Sequence, residues 1–126
     1  MKVYIAGPMT NCVNNNFRAF DNARDILEMQ GHTVVSPADL DREGGYDPYT
    51  GTQPRIVPDR RTCMKRDLPA LLDCDVVVFL PSSGVSEGAK IERGVALYSN
   101  IPCHEFIEFI GVNPMFEDES VAWCPA

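Results

Sequence analysis

The longest uninterrupted apolar run in the chain is Val76-Val77-Val78-Phe79-Leu80, entered through Cys74-Asp75. A β-branched run with no polar face is expected of a strand covered on both sides, so the pattern predicts a central strand here. KVYIA at residues 2–6 is a second β-prone run, ended by Gly7-Pro8, a pair that punctuates strands. HTVVS at 32–36 and IPCHEFIEF at 101–109 predict two more. Between the strands the period turns helical. Phe17, Phe20, Ala23, Leu27 and Gln30 fall on one face of a helix that Asn14, Asn15 or Asn16 would cap and Gly31 would stop. Met64, Leu68, Leu71 and Leu72 mark a second helical face within 59–73, where Pro69 removes a backbone donor and predicts a kink or two shorter helices. Residues 82–100 read as a loop followed by a helix. Residues 37–58, rich in Pro, Gly and Asp, keep no period and read as a long loop, of a length more usual in lids and binding loops. The last 16 residues, 111–126, carry no assignable element.

Alternating strands and helices predict an α/β fold, a Rossmann-like or flavodoxin-like three-layer sandwich with a mainly parallel sheet of four or five strands. At 126 residues, one domain spanning 1–126 is expected. The net charge of −7 opposes the counterion-release attraction that draws proteins to DNA or RNA, so no polymeric nucleic acid is expected as a partner. No apolar stretch reaches the roughly 18 to 20 residues needed to cross a bilayer, and the first residues lack the apolar run of a secretion signal. The reading is a soluble, cytoplasmic protein without a membrane partner. Five scattered cysteines with no C-x-x-C pair predict reduced thiols, and no cluster suggests a metal or another cofactor.

In open parallel sheets ligands bind beyond the carboxyl ends of the strands. That rule selects 7–11, the segment after Ser36, and 81–88. In the third, Ser86 is a good helix cap and Gly88 leaves the backbone N–H groups open, an arrangement that favours an anion. Glu92 follows Gly88 by four residues and so shares its helix face, the missing side chain opening access to the carboxylate. On spacing alone, a solvated surface glutamate is the commoner reading of Glu92, and Gly94 reads as a site of close helix packing. His32 and His104 read as strand residues without a catalytic role.

Three motifs, in order, resemble the nucleoside 2-deoxyribosyltransferase-like superfamily, in particular its nucleotide N-hydrolase branch and small relatives that begin with a strand and Gly-Pro-Met. They are Val3-Tyr4-Ile5-Ala6-Gly7, then Arg66-Asp67-Leu68 followed by Cys74-Asp75-Val76-Val77-Val78, and finally Ser86-x-Gly88-x-x-x-Glu92-x-Gly94-x-Ala96. The resemblance covers roughly the first 105 residues. It implies cleavage of the N-glycosidic bond of a 2′-deoxynucleoside 5′-monophosphate, with Glu92 as the attacking carboxylate, Asp67 as sugar ligand or proton donor, and Tyr4 bonded to the nucleophile. Gly7, Pro8, Met9, Ser86 and Gly88 are the substrate-binding positions it implies. It leaves open a base-exchanging transferase and a non-catalytic nucleotide-binding module. Relatives need no metal or organic cofactor and commonly assemble as homodimers or larger oligomers. Pro8-Met9-Thr10 stands where the family's hydrolases often carry Ser and a basic residue, and the base-recognising residues have no counterpart that the sequence identifies.

Overall fold

Strand β1 (Lys2–Ala6) lies inside a four-stranded sheet of order β2-β1-β3-β4, and every pairing is parallel. The computed structural model describes residues 1–49 and 59–111. β2 is Thr33–Val35, β3 is Val76–Phe79 and β4 is Cys103–Glu105. Register sets Tyr4 opposite Val77 on one side and Val35 on the other. Because successive strand residues point to opposite faces, β1 and β3 each serve two cores. Val3, Ile5, Val76, Val78 and Leu80 pack with α1 (Phe17–Met29) and with Phe106 of α5 (Phe106–Ile110). Tyr4, Ala6, Val77 and Phe79 pack with Leu71 of α3 (Arg60–Leu72) and Ala96 of α4 (Glu87–Tyr98). The result is the three-layer α/β sandwich expected from the alternation of elements, and β3 is buried throughout as its unbroken apolar run requires.

Four local expectations are corrected. Residues 37–43 form a helix, α2 (Pro37–Glu43), where a loop is expected. Ser36 Oγ accepts from Ala38 N, and Pro37 occupies the first turn, where its fixed φ and missing N–H suit a helix start. Pro69 neither splits nor ends α3, which runs unbroken over 13 residues. Pro69 and Lys65 both lie on the exposed face, so water can serve the Lys65 carbonyl that loses its donor. The fourth strand stops at Glu105, and the expected continuation folds as α5. Phe106, Phe109 and Ile110 all reach the α1-side core, a grouping at i, i+3, i+4 that a strand would divide between two faces. Asn16 occupies the cap position of α1 without capping it, its side chain donating instead to the Pro8 carbonyl at 2.9 Å. Gly31, at φ +91°, supplies the expected left-handed stop.

Cys12 is disulfide-bonded, against the expectation of reduced thiols, whereas Cys63, Cys74 and Cys103 form no disulfide. Odd number and wide spacing in sequence do not report proximity in the fold. Among the described residues no helix is long and apolar enough to cross a membrane. The remainder of the expected loop, 50–58, and the tail from 112 lie outside the described residues.

Candidate active site

Tyr4 stands mid-strand in β1 with its ring on the α3/α4 face of the sheet and no exposed surface. Its hydroxyl donates to Glu92 Oε2 at 2.5 Å. Glu92 reaches this depth because α4 starts at a fixed point. Ser86 Oγ accepts from Ala89 N at 3.2 Å, and from that cap the helical period turns Ala89, Glu92 and Ala96 toward the sheet. Glu92 is only 6% exposed, which excludes the solvated surface glutamate that spacing alone favours. Burial pushes its carboxyl up to about 7, the Tyr4 hydrogen bond pulling it back and the Asp67 charge adding to the rise. Burial, reinforced by the Glu92 and Asp67 charges, holds the Tyr4 phenol well above its ordinary value of 10, so it remains a donor at neutral pH.

Asp67 is presented by α3, whose start is fixed by Asp59 accepting from Thr62 N at 2.7 Å. It is 7% exposed and also raised by desolvation, with Arg66 pulling down and Asp41 pushing up. Arg66 Nε donates to Asp67 Oδ1 at 2.7 Å, while Arg66 Nη1 lies 2.7 Å from Asp41 Oδ1. Thus β1, α3 and α4 bring Tyr4, Asp67 and Glu92 into one electrostatically coupled group, two buried carboxylates beside a phenol. Such a group can hold one proton between acids of different strength and present a desolvated carboxylate to an electron-poor carbon.

The other expected positions have the following surroundings. Gly7 is needed for packing, since a Cβ there would come within 2.9 Å of Leu80 Cβ. Pro8 is buried with its carbonyl held by Asn16, and Met9 leans on the α1-side core. At Gly88 a Cβ would meet only Met64 Cε at 3.9 Å and Ser86 Oγ at 4.0 Å, so the start of α4 is open. Gly94 faces open space and is not a point of close helix packing. His32 and His104 both lie against the Phe109 ring, at centroid separations of 5.3 and 5.7 Å.

Sequence reasoning assigns no role to Asp41 or Arg66. Asp41 is hidden by reading 37–58 as a loop, although Ser36-Pro37 is a helix-start signal that puts Asp41 one turn in. A cleft of about 430 Å³ is lined by Val34, Val35, Ser36, Asp39, Leu40, Arg42 and Glu43, beside the edge strand β2 and away from the carboxylates. Its Arg42 is already engaged by Asp21, Asp39 and Asp47. Among the described residues no group of three or more His, Cys, Asp or Glu could hold a metal ion.

Comparison with known proteins adds to this picture. Residues 1–104 match the family profile described as "Domain of unknown function (DUF4406)". No curated protein sequence matches. Among solved structures, the fold is similar to that of a 2-deoxyribosyltransferase from Bacillus psychrosaccharolyticus, with TM-score 0.58 and 23% identity over 83% of this chain and 71% of that one. It is also similar to a conserved protein from Enterococcus faecalis V583, with TM-score 0.55 and 20% identity, covering 83% of this chain and 62% of that one.

Proposed function

The chain belongs to the DUF4406 family, and for this member we propose cleavage of the N-glycosidic bond of a 2′-deoxynucleoside 5′-monophosphate, with Glu92 as the nucleophile. The observation that carries the reading is the burial of Glu92 against the Tyr4 hydroxyl with Asp67 as its charged neighbour. The resemblance in motif order and the likeness of fold to a 2-deoxyribosyltransferase point the same way.

As the base leaves C1′, positive charge develops on the sugar. A carboxylate at that carbon stabilises the charge and then bonds to it, giving a glycosyl-enzyme that water hydrolyses. Glu92 performs this step as the anion, so its raised pKa makes kcat/KM climb as pH rises through about 7. Tyr4 fixes the carboxylate by donating to Oε2 and leaves Oε1 for the anomeric carbon. Asp67 binds the sugar or passes a proton to the departing base, which otherwise leaves as a poor anion. The open N-terminus of α4, at Ser86 and Gly88, receives the 5′-phosphate. Association into a homodimer or larger oligomer is proposed by analogy with the family the motifs resemble.

Free base released from a panel of ribo- and deoxyribonucleosides and their monophosphates tests the reading, run in parallel with Glu92→Ala. Base release by the wild type and its fall by at least about a thousandfold in the variant are expected, as for loss of a covalent nucleophile. Equal release by both proteins overturns the role of Glu92. Incorporation of an added second base into a new nucleoside would replace hydrolysis by base exchange at the same site.

A further inference from the structure

Among the described residues three acidic side chains are buried, Asp41, Asp67 and Glu92, and the chemistry above uses only the last two. A buried carboxylate is retained where it is paired, and Asp41, 6% exposed, is paired through Arg66. Arg66 also reaches its own neighbour. Its Nε donates to Asp67 Oδ1 at 2.7 Å, a contact between consecutive helix residues that Arg24 and Asp25 also make in α1, at 3.1 Å. What sets Arg66 apart is that both of its anions are buried. Asp41 is the second anion on that guanidinium, its Oδ1 lying 2.7 Å from Arg66 Nη1 as an ion pair, although among the described residues no aligned hydrogen bond reaches this buried oxygen. The adjacent Arg42 is taken by Asp21, Asp39 and Asp47 and acts on Asp41 without direct contact, so Arg66 is the cation in contact with it.

We propose that Asp41 is a positioning residue for the active site, holding the Arg66 guanidinium against Oδ1 of Asp67 so that Oδ2 faces the substrate. No hydrogen bond among the described residues engages that second oxygen. The assignment of Asp67 to an active site rests on the function proposed above, whereas the Asp41-to-Arg66-to-Asp67 coupling can be measured without it. In substrate terms, an oxygen fixed in this way is a rigid acceptor for a sugar hydroxyl or, when protonated, a rigid donor to the leaving base.

The coupling has a sign that separates positioning from simple proximity. The ionisable groups facing Asp67 are Arg66 and Cys63 on α3, Asp41 on α2, Glu92 on α4 and Tyr4 on β1. Arg66 lowers the Asp67 pKa by direct contact, and Asp41 raises it more weakly as a like charge. Asp41→Asn would therefore lower the Asp67 midpoint if Asp41 were only a neighbouring charge. If Asp41 holds Arg66 in place, the freed guanidinium leaves and the midpoint rises.

The test is a carboxyl 13C NMR titration of Asp67, assigned with Asp67→Asn, in the wild-type chain, Asp41→Asn and Arg66→Gln. A rise in both variants is expected, with no further rise when the two are combined. Activity assays should show kcat reduced roughly tenfold to a hundredfold, as for a small misplacement of a reacting group, with the loss in Asp41→Asn absent in an Arg66→Gln background. A midpoint that falls or stays in Asp41→Asn overturns the proposal. Should Asp41→Asn fail to fold, Asp41→Glu carries the same test, since it keeps the neighbouring charge but changes the reach to Arg66: a raised midpoint is expected, and an unmoved one overturns the proposal. If the midpoints move as expected but no base is released by the wild type, the function fails and the coupling stands; base release with unmoved midpoints gives the reverse.

Discussion

At the residue scale, Glu92 is where stability and chemistry pull apart. Its carboxyl has an ordinary value of 4.5 and sits near 7 in the fold, so between those limits the native state binds the proton more tightly than the unfolded chain does. Stability from this group therefore falls as pH rises from 4.5 to about 7 and stays reduced above it. Glu92→Gln keeps the shape and still accepts from Tyr4, so it should stabilise the protein above pH 7 by on the order of 3 kcal/mol and leave it unchanged below pH 4.5. Urea midpoints at pH 8 and pH 4 read this directly, and equal midpoints of variant and wild type at pH 8 would mean that the carboxylate is not desolvated. Tyr4→Phe probes the same atom from the other side. It removes a hydrogen bond to a charged acceptor, worth roughly 1.5–3 kcal/mol, and the group that holds the Glu92 pKa down. The rising limb of kcat/KM should move to higher pH in this variant, and an unmoved limb would separate Tyr4 from the nucleophile.

At the scale of elements, the strands, α1 and the start of α4 at Ser86 were legible, whereas spacing alone favoured a solvated Glu92 and only the motif resemblance set it beside Tyr4 and Asp67. Legibility failed in α2, where a run of Asp, Arg and Glu after Ser36-Pro37 leaves only Pro37 and Ala38 as buried apolar positions and so little apolar period. Arg24 and Arg42 lie among Asp21, Asp39 and Asp47 across α1 and α2, with Arg42 also 4.9 Å from the centre of the Phe17 ring. Such half-exposed pairs add little singly but form a network here. Pro69 misled for the opposite reason, since a helix tolerates proline where water can serve the freed carbonyl, and exposure is not written in sequence. Gly7 links element to site. Gly7→Ala would drive a methyl group to within 2.9 Å of Leu80 Cβ, and a loss of about 1–3 kcal/mol in thermal or urea unfolding is expected. No loss would mean that the turn after β1 is free to shift.

For the whole molecule, a parallel sheet of order β2-β1-β3-β4 puts the phenol of an inner strand under two helices that each contribute a carboxylate, and this convergence makes the candidate site. The three-layer fold could be anticipated from the alternation of elements, and the pairing of Tyr4 with Glu92 from the motif resemblance. The ion-pair chain from Asp41 through Arg66 could not, because it joins residues 25 positions apart through packing of α2 on α3 that no local period reports. Intact-mass measurement after incubation with a 2′-fluoro-2′-deoxynucleoside monophosphate, whose fluorine slows breakdown of a glycosyl-enzyme, tests Glu92 most directly. A mass gain equal to the fluorosugar phosphate, mapped to the peptide containing Glu92 and absent in Glu92→Gln, is the expected result. Base release from this analogue with the added mass on another residue, or persisting in Glu92→Gln, would contradict the assignment.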